Sequence, residues 1–167
     1  MLSRIVTLMV VNNLKVYLNI FSYSLVMTII KEYLSYTEKH KAEYGDKTLV
    51  LMQVGSFFEA YGLLDKNDVI YGSNIEDFSR ICDMVISRKR MCAGKARVVM
   101  AGFGLYVLEK YVKKLQATGY TTVVYTQDTQ AKNTTRSLAY TFSPGTFFTN
   151  DTEELSNCTS CVWINAT

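Results

Sequence analysis

Val54-Gly55-Ser56-Phe57-Phe58-Glu59-Ala60-Tyr61-Gly62 lies just after the apolar run Leu49-Val50-Leu51-Met52. The glycine marks a turn, and two aromatics and a carboxylate follow it. In extended backbone, alternate side chains share a face, so Phe57 and Glu59 point one way and Phe58 the other. That arrangement pairs a flat apolar ring with one hydrogen-bond acceptor. Two readings are open from these residues. The pair suits a nucleobase probe, because a ring can stack on or wedge between bases while a polar group touches a base edge. It also suits a core strand ending in aromatics, since phenylalanine is commonly buried.

Alternating strand and helix signals surround this stretch. Apolar spacing through Ile29, Ile30, Tyr33, Leu34 and Thr37 predicts a helix over Thr28–Tyr44, stopped by Gly45-Asp46. His40 falls on its charged part and receives no role. Strands are expected at Leu49–Val54, Phe57–Tyr61, Val69–Tyr71, Met84–Ile86, Val98–Ala101, Thr121–Gln127 and Arg136–Phe142. Helices are expected near Asn74–Ile81 and over Leu105–Leu115, the latter with Leu105, Leu108, Tyr111, Val112 and Leu115 on one face and Gly119 as its C-cap. A polar loop is expected over Gln130–Thr135. The pattern implies an α/β fold, a mixed β-sheet flanked by helices.

The 167 residues amount to one domain, with 49% hydrophobic residues, 20% charged residues and a net charge of +3. The charge is unevenly placed. Arg80 to Lys114 holds nine Lys or Arg against Asp83 and Glu109, a local excess of seven positive charges. Such a block is a candidate phosphate-facing footprint, or else a solvated surface loop. Within it Arg88–Arg97 reads as a basic hairpin or loop. Arg88, Lys89, Arg90, Lys95 and Arg97 are candidate DNA-backbone contacts from charge and position. Cys82 and Cys92 have nine residues between them, and Cys158-Thr159-Ser160-Cys161 is a lone pair with no partner at zinc spacing. These thiols read as structural or incidental, so no metal site is expected. No phosphate-binding loop is present, because Gly94-Lys95 lacks both the upstream glycine and the following hydroxyl.

Taken together, five stretches resemble the N-terminal mismatch-recognition domain of the MutS family of DNA mismatch repair proteins. Gly55-Ser56-Phe57-Phe58-Glu59 is similar to its F-x-E motif. Ile81 to Arg88 resembles a strand leading to a basic hairpin. Val98-Val99-Met100-Ala101-Gly102-Phe103 resembles P-M-A-G-hydrophobic. Leu108 to Leu115 with Gly119-Tyr120 resembles the next helix and turn. Arg136 through Ser143-Pro144-Gly145-Thr146 resembles the closing R-x-x-T-P-G-T. The five occur in the family's order across residues 28–148. The sequence departs from the family at Ser56 (usually Asp), Phe58 (usually Tyr) and Thr126 (often Glu), leaving wedge and carboxylate in place. Val124-Tyr125-Thr126-Gln127-Asp128 and Ser143 to Phe148 look most like the branch of giant DNA viruses and octocoral mitochondria.

The resemblance implies mismatched-DNA binding, with Phe57 as an inserted wedge and Glu59 as the acceptor at a base edge. The implied partner is double-stranded DNA with mismatches or small loops. No membrane partner is expected, and dimerisation is expected only of a full-length protein. The family's ATPase, with its ATP and magnesium, lies in a C-terminal part that this chain does not reach, so no cofactor and no enzymatic activity are expected here. The implied division is an apolar extension over 1–26, a recognition domain over 27–150, and a linker with the start of a further domain, opening at Asn157–Ile164, over 151–167. Residues 16–30 carry no charge but fall short of the ~20 residues needed to span a bilayer. The extension reads as a product of start-site choice, a targeting segment or an anchor. Localisation is expected to be intracellular: a viral replication compartment, cytoplasm or mitochondrion. The competing function is an interaction or structural α/β module without DNA binding.

Overall fold

Gly55 sits at φ +61°, a left-handed conformation that glycine adopts without steric cost, and it turns the chain between the two strands that organise the fold. β1 (Thr48–Val54) pairs antiparallel with β2 (Phe57–Leu64), with Val54 opposite Phe57 and Met52 opposite Glu59. The structure is a computed structural model that describes residues 27–128, 135–144, 146 and 164. The expectations placed on residues 1–26, the 130–134 loop, Phe147 and Phe148, and the strand and cysteine pair after residue 156 lie outside the described residues, Ile164 apart.

The sheet grows outward from that hairpin. Beyond β1 lie β6 (Thr121–Gln127), parallel to it, and the edge strand β7 (Arg136–Phe142), antiparallel to β6. Beyond β2 lie β5 (Ala96–Gly104) and the other edge strand β4 (Ser87–Ala93), both antiparallel to their neighbours. A short β3 (Ile70–Tyr71) pairs with the far end of β2. The order is β4-β5-β2-β1-β6-β7. β1 is central and covered on both faces, which is why Leu49-Val50-Leu51-Met52 is an unbroken apolar run and not an alternating one. Burying each of these side chains stabilises the fold by about 1.5–3 kcal/mol.

Among the described residues, three α-helices cover the two faces. α1, over residues 27–44, packs on one face through Tyr33, whose hydroxyl donates to Val50 O at 3.1 Å, and through Tyr36, stacked on Tyr125 at 4.1 Å. α2 (Ile75–Cys82) and α3 (Leu108–Ala117) pack on the other, where Phe58, Phe78 and Tyr111 surround Phe103. α3 ends in two bonds back to its last turn, Gly119 N to Gln116 O at 2.9 Å and Tyr120 N to Leu115 O at 3.0 Å. The α/β class and the mixed sheet are as expected, with seven strands among the described residues.

Three local expectations need correction. Met84–Ile86 is not a strand. Asp83 caps α2 at φ 55° and Met84 N bonds back to Ser79 O at 2.9 Å, so pairing with β5 begins only at Ser87. Leu105 belongs to a 3₁₀ turn (Leu105–Val107) ahead of α3. His40 is buried, because Ile30, Tyr33, Thr37 and His40 continue one helical stripe. Its Nε2 lies 2.8 Å from the Tyr125 hydroxyl, and its Nδ1 is 3.3 Å from Glu43 without an aligned hydrogen bond.

Candidate functional site

Phe57 is the first residue of β2, directly after the turn, and the residue is 53% exposed. Its neighbour Phe58 is 4% exposed and tilted against Phe103 at 6.0 Å on the α2/α3 side. The pleat therefore sends the two identical side chains to opposite faces, as alternation requires. Glu59 returns to the Phe57 face, where it is only 9% exposed.

Two glycines of β5 make that face possible. Gly102 is the cross-strand partner of Glu59, and Gly104 that of Phe57. A Cβ on Gly102 would stand 2.6 Å from Phe58 O and 3.1 Å from Glu59 Cγ, so the carboxylate arm lies across bare backbone. A Cβ on Gly104 would meet the ring of Tyr106 at 2.7 Å. Tyr106 is itself 92% exposed, which puts a second open aromatic at the Phe57 end of the sheet.

The Glu59 carboxylate is held by a neighbour on its own strand. The Tyr61 hydroxyl donates to Glu59 Oε2. Burial, followed by the bond to Glu59 and its charge, pushes the Tyr61 phenol well above its ordinary range, partly offset by the Arg136 cation. Tyr61 is thus a neutral donor at physiological pH. Its ring meets Tyr33 edge-on at 5.3 Å. The Arg136 side chain is almost wholly buried, donating from Nε to Gln53 O at 2.8 Å and lying 4.0 Å from Glu32. Gln53 and Gln127 brace the turn from below. Gly55 N donates to Gln127 Oε1 at 3.0 Å, Gln127 N to Gln53 Oε1 at 3.1 Å, and Gln53 Nε2 to Gly55 O at 3.1 Å.

The basic residues are not gathered around this site. Arg88 lies on β4 opposite Val99, and Arg97 on β5 opposite Leu64, at the far end of β2 from Phe57. Seven strand residues separate the level of Phe57 from that of Arg97, about 23 Å at 3.3 Å each. Arg88 pairs with Asp68 at 3.2 Å. Elsewhere in the basic block, Arg80 pairs with Asp77, and Lys114 with Asp83 at 3.3 Å. Lys89, Arg90, Lys95 and Arg97 make no ion pair among the described residues.

Tyr61, Arg136 and Tyr106 are thus additions to the sequence-derived set. Alternation through 57, 59 and 61 points to Tyr61. Nothing local marks Tyr106, whose place depends on the pairing of β5 with β2. Among the described residues no three His, Cys, Asp or Glu converge as metal ligands, and no helix is long and apolar enough to cross a membrane. Cys82 is buried, which pushes its thiol up to about 11.

Comparison with known proteins identifies a family. MutS domain I matches residues 28–151. A DNA mismatch repair protein MutS homolog of Acanthamoeba polyphaga mimivirus is 28% identical over 142 residues, covering 83% of this chain and 12% of the viral protein. The match over most of the chain, with the glycine turn, the split phenylalanine pair and the glycine-faced carboxylate in the matched region, places the chain in one family: it belongs to MutS domain I.

Proposed function

We propose that this chain recognises mispaired or unpaired bases in double-stranded DNA, as part of DNA mismatch repair, with Phe57 as the wedge and Glu59 as the acceptor at a base edge. The observation that carries the reading is the exposed Phe57 ring at a braced turn, beside a buried twin. A free apolar ring on a stiff mount suits insertion, because little ordering remains to be done on binding. Inserting a ring costs a few kcal/mol of unstacking, and less at a defect. Stacking on an aromatic returns about 1–3 kcal/mol per base. The two are close, so their balance changes sign between matched and mismatched steps, and deformability supplies selectivity. The Glu59 charge opposes phosphate-driven, sequence-blind binding. In this reading the domain contributes recognition, while ATP turnover, magnesium and dimerisation belong to a full-length family member.

The test is titration of the full chain and its Phe57→Ala variant against G·T, single-base-loop and matched duplexes. Loss of the mismatch preference at unchanged melting temperature is expected. A preference that survives Phe57→Ala rejects the wedge, and an absence of salt-dependent duplex binding favours a structural module instead.

A further inference from the structure

We infer that Tyr61 is a positioning residue for mismatch discrimination: its hydroxyl engages Glu59 Oε2 and orients the carboxylate so that Oε1 is presented to a base edge. This rests on the proposed role of Glu59. Four observations converge on it. Glu59 is nearly buried, and Tyr61 is its only hydrogen-bond partner among the described residues. Among the described residues Oε1 accepts no hydrogen bond, and it is not among the buried unpartnered atoms, so it keeps contact with solvent. The Tyr61 ring is fixed by Tyr33, which is anchored to β1 through Val50 O. Gly102 opposite Glu59 removes the side chain that would displace the carboxylate arm.

The chemistry gives this interaction a direction. A neutral phenol has one proton to donate, and it donates it to Glu59. A carboxylate with one oxygen occupied accepts from a base N–H along a narrower range of directions than a free one. Base-edge donors in the wrong place then find no acceptor, and a buried polar group left unpaired is costly. Without the phenol O–H, Glu59 is free to rotate, and its preference among base-edge positions broadens.

The experiment uses the full chain and the three duplexes above. Tyr61→Phe keeps the ring against Tyr33 and removes only the hydroxyl. It is expected to lower mismatched-over-matched discrimination by about tenfold, the scale of one hydrogen bond to a charged group. In a Glu59→Ala background the same change is expected to have no further effect, a coupling that a merely structural role would not produce. A second arm leaves Tyr61 in place. In Glu59→Gln the Tyr61 hydroxyl proton, followed by NMR at neutral pH, is expected to move upfield, since a bond to a neutral amide oxygen is weaker than one to a carboxylate. The inference is overturned if Tyr61→Phe discriminates like the unaltered chain, if its effect persists without Glu59, or if Glu59→Gln leaves the Tyr61 hydroxyl proton unmoved. Inert Phe57→Ala and Glu59→Ala variants would instead overturn the underlying reading of the site.

Discussion

Phe57 and Phe58 are the same side chain one position apart, and the pleat gives them opposite tasks. Phe58 fills the core against Phe103, so Phe58→Ala should cost about 3–5 kcal/mol in denaturant unfolding. Phe57→Ala should stay within about 0.5 kcal/mol of the unaltered chain, as for an exposed side chain. The reverse order would mean that the faces are assigned the wrong way round. This division was legible in the sequence, because alternation is a local property of extended backbone. The burial of Glu59 was not. It depends on Gly102, more than forty residues later, and on a register that no local pattern encodes. Gly102→Ala should therefore disturb Glu59 and destabilise the fold by about 1–3 kcal/mol, the range for overpacking.

At the scale of elements, the basic block is dense in sequence and dispersed in space. Its nine cations fall on α2, on β4, its turn and the start of β5, and on α3, and several are spent on Asp68, Asp77 and Asp83. The hairpin itself was legible, since Gly94 between basic runs is a turn signal. Its distance from Phe57 was not, because strand pairing decides it. Replacing Arg88, Lys89 and Arg90 together by Ala should weaken matched and mismatched duplexes by similar factors. It should also flatten the slope of affinity against salt by about one unit for each DNA phosphate left without its cation. An unchanged slope removes β4 from the interface. His40 shows the opposite lapse. It sits among charges in sequence but continues the buried stripe of α1, and counting periodicity through Tyr33 and Thr37 would have found it.

Across the whole molecule, α1 and the sheet are joined largely by tyrosines. Burial pushes Tyr33 up to about 12 and also raises Tyr61 and Tyr125. Each is harder to ionise folded than unfolded, where the phenol titrates near 10. Their contribution is therefore complete below about pH 10 and is lost as pH rises through the folded values. Melting temperature should hold just below pH 10 and fall steeply above it, with tyrosinate absorbance rising in step with unfolding. Tyrosinate appearing before unfolding would contradict the burial of these rings. The strand order was beyond sequence reading, because the parallel β1–β6 pair is made across more than sixty residues. If the proposed function holds, that order has a consequence for the length of DNA engaged. The levels of Arg88 and Arg97 lie about 17 and 23 Å along β2 from that of Phe57, and duplex rises about 3.4 Å per base pair. In the proposed reading, with β2 running along the duplex, the sheet would act as a ruler of about five to seven base pairs. On a duplex that ends short of that mark on the hairpin side, the β4 cations have no phosphate to meet, and their replacement should change nothing.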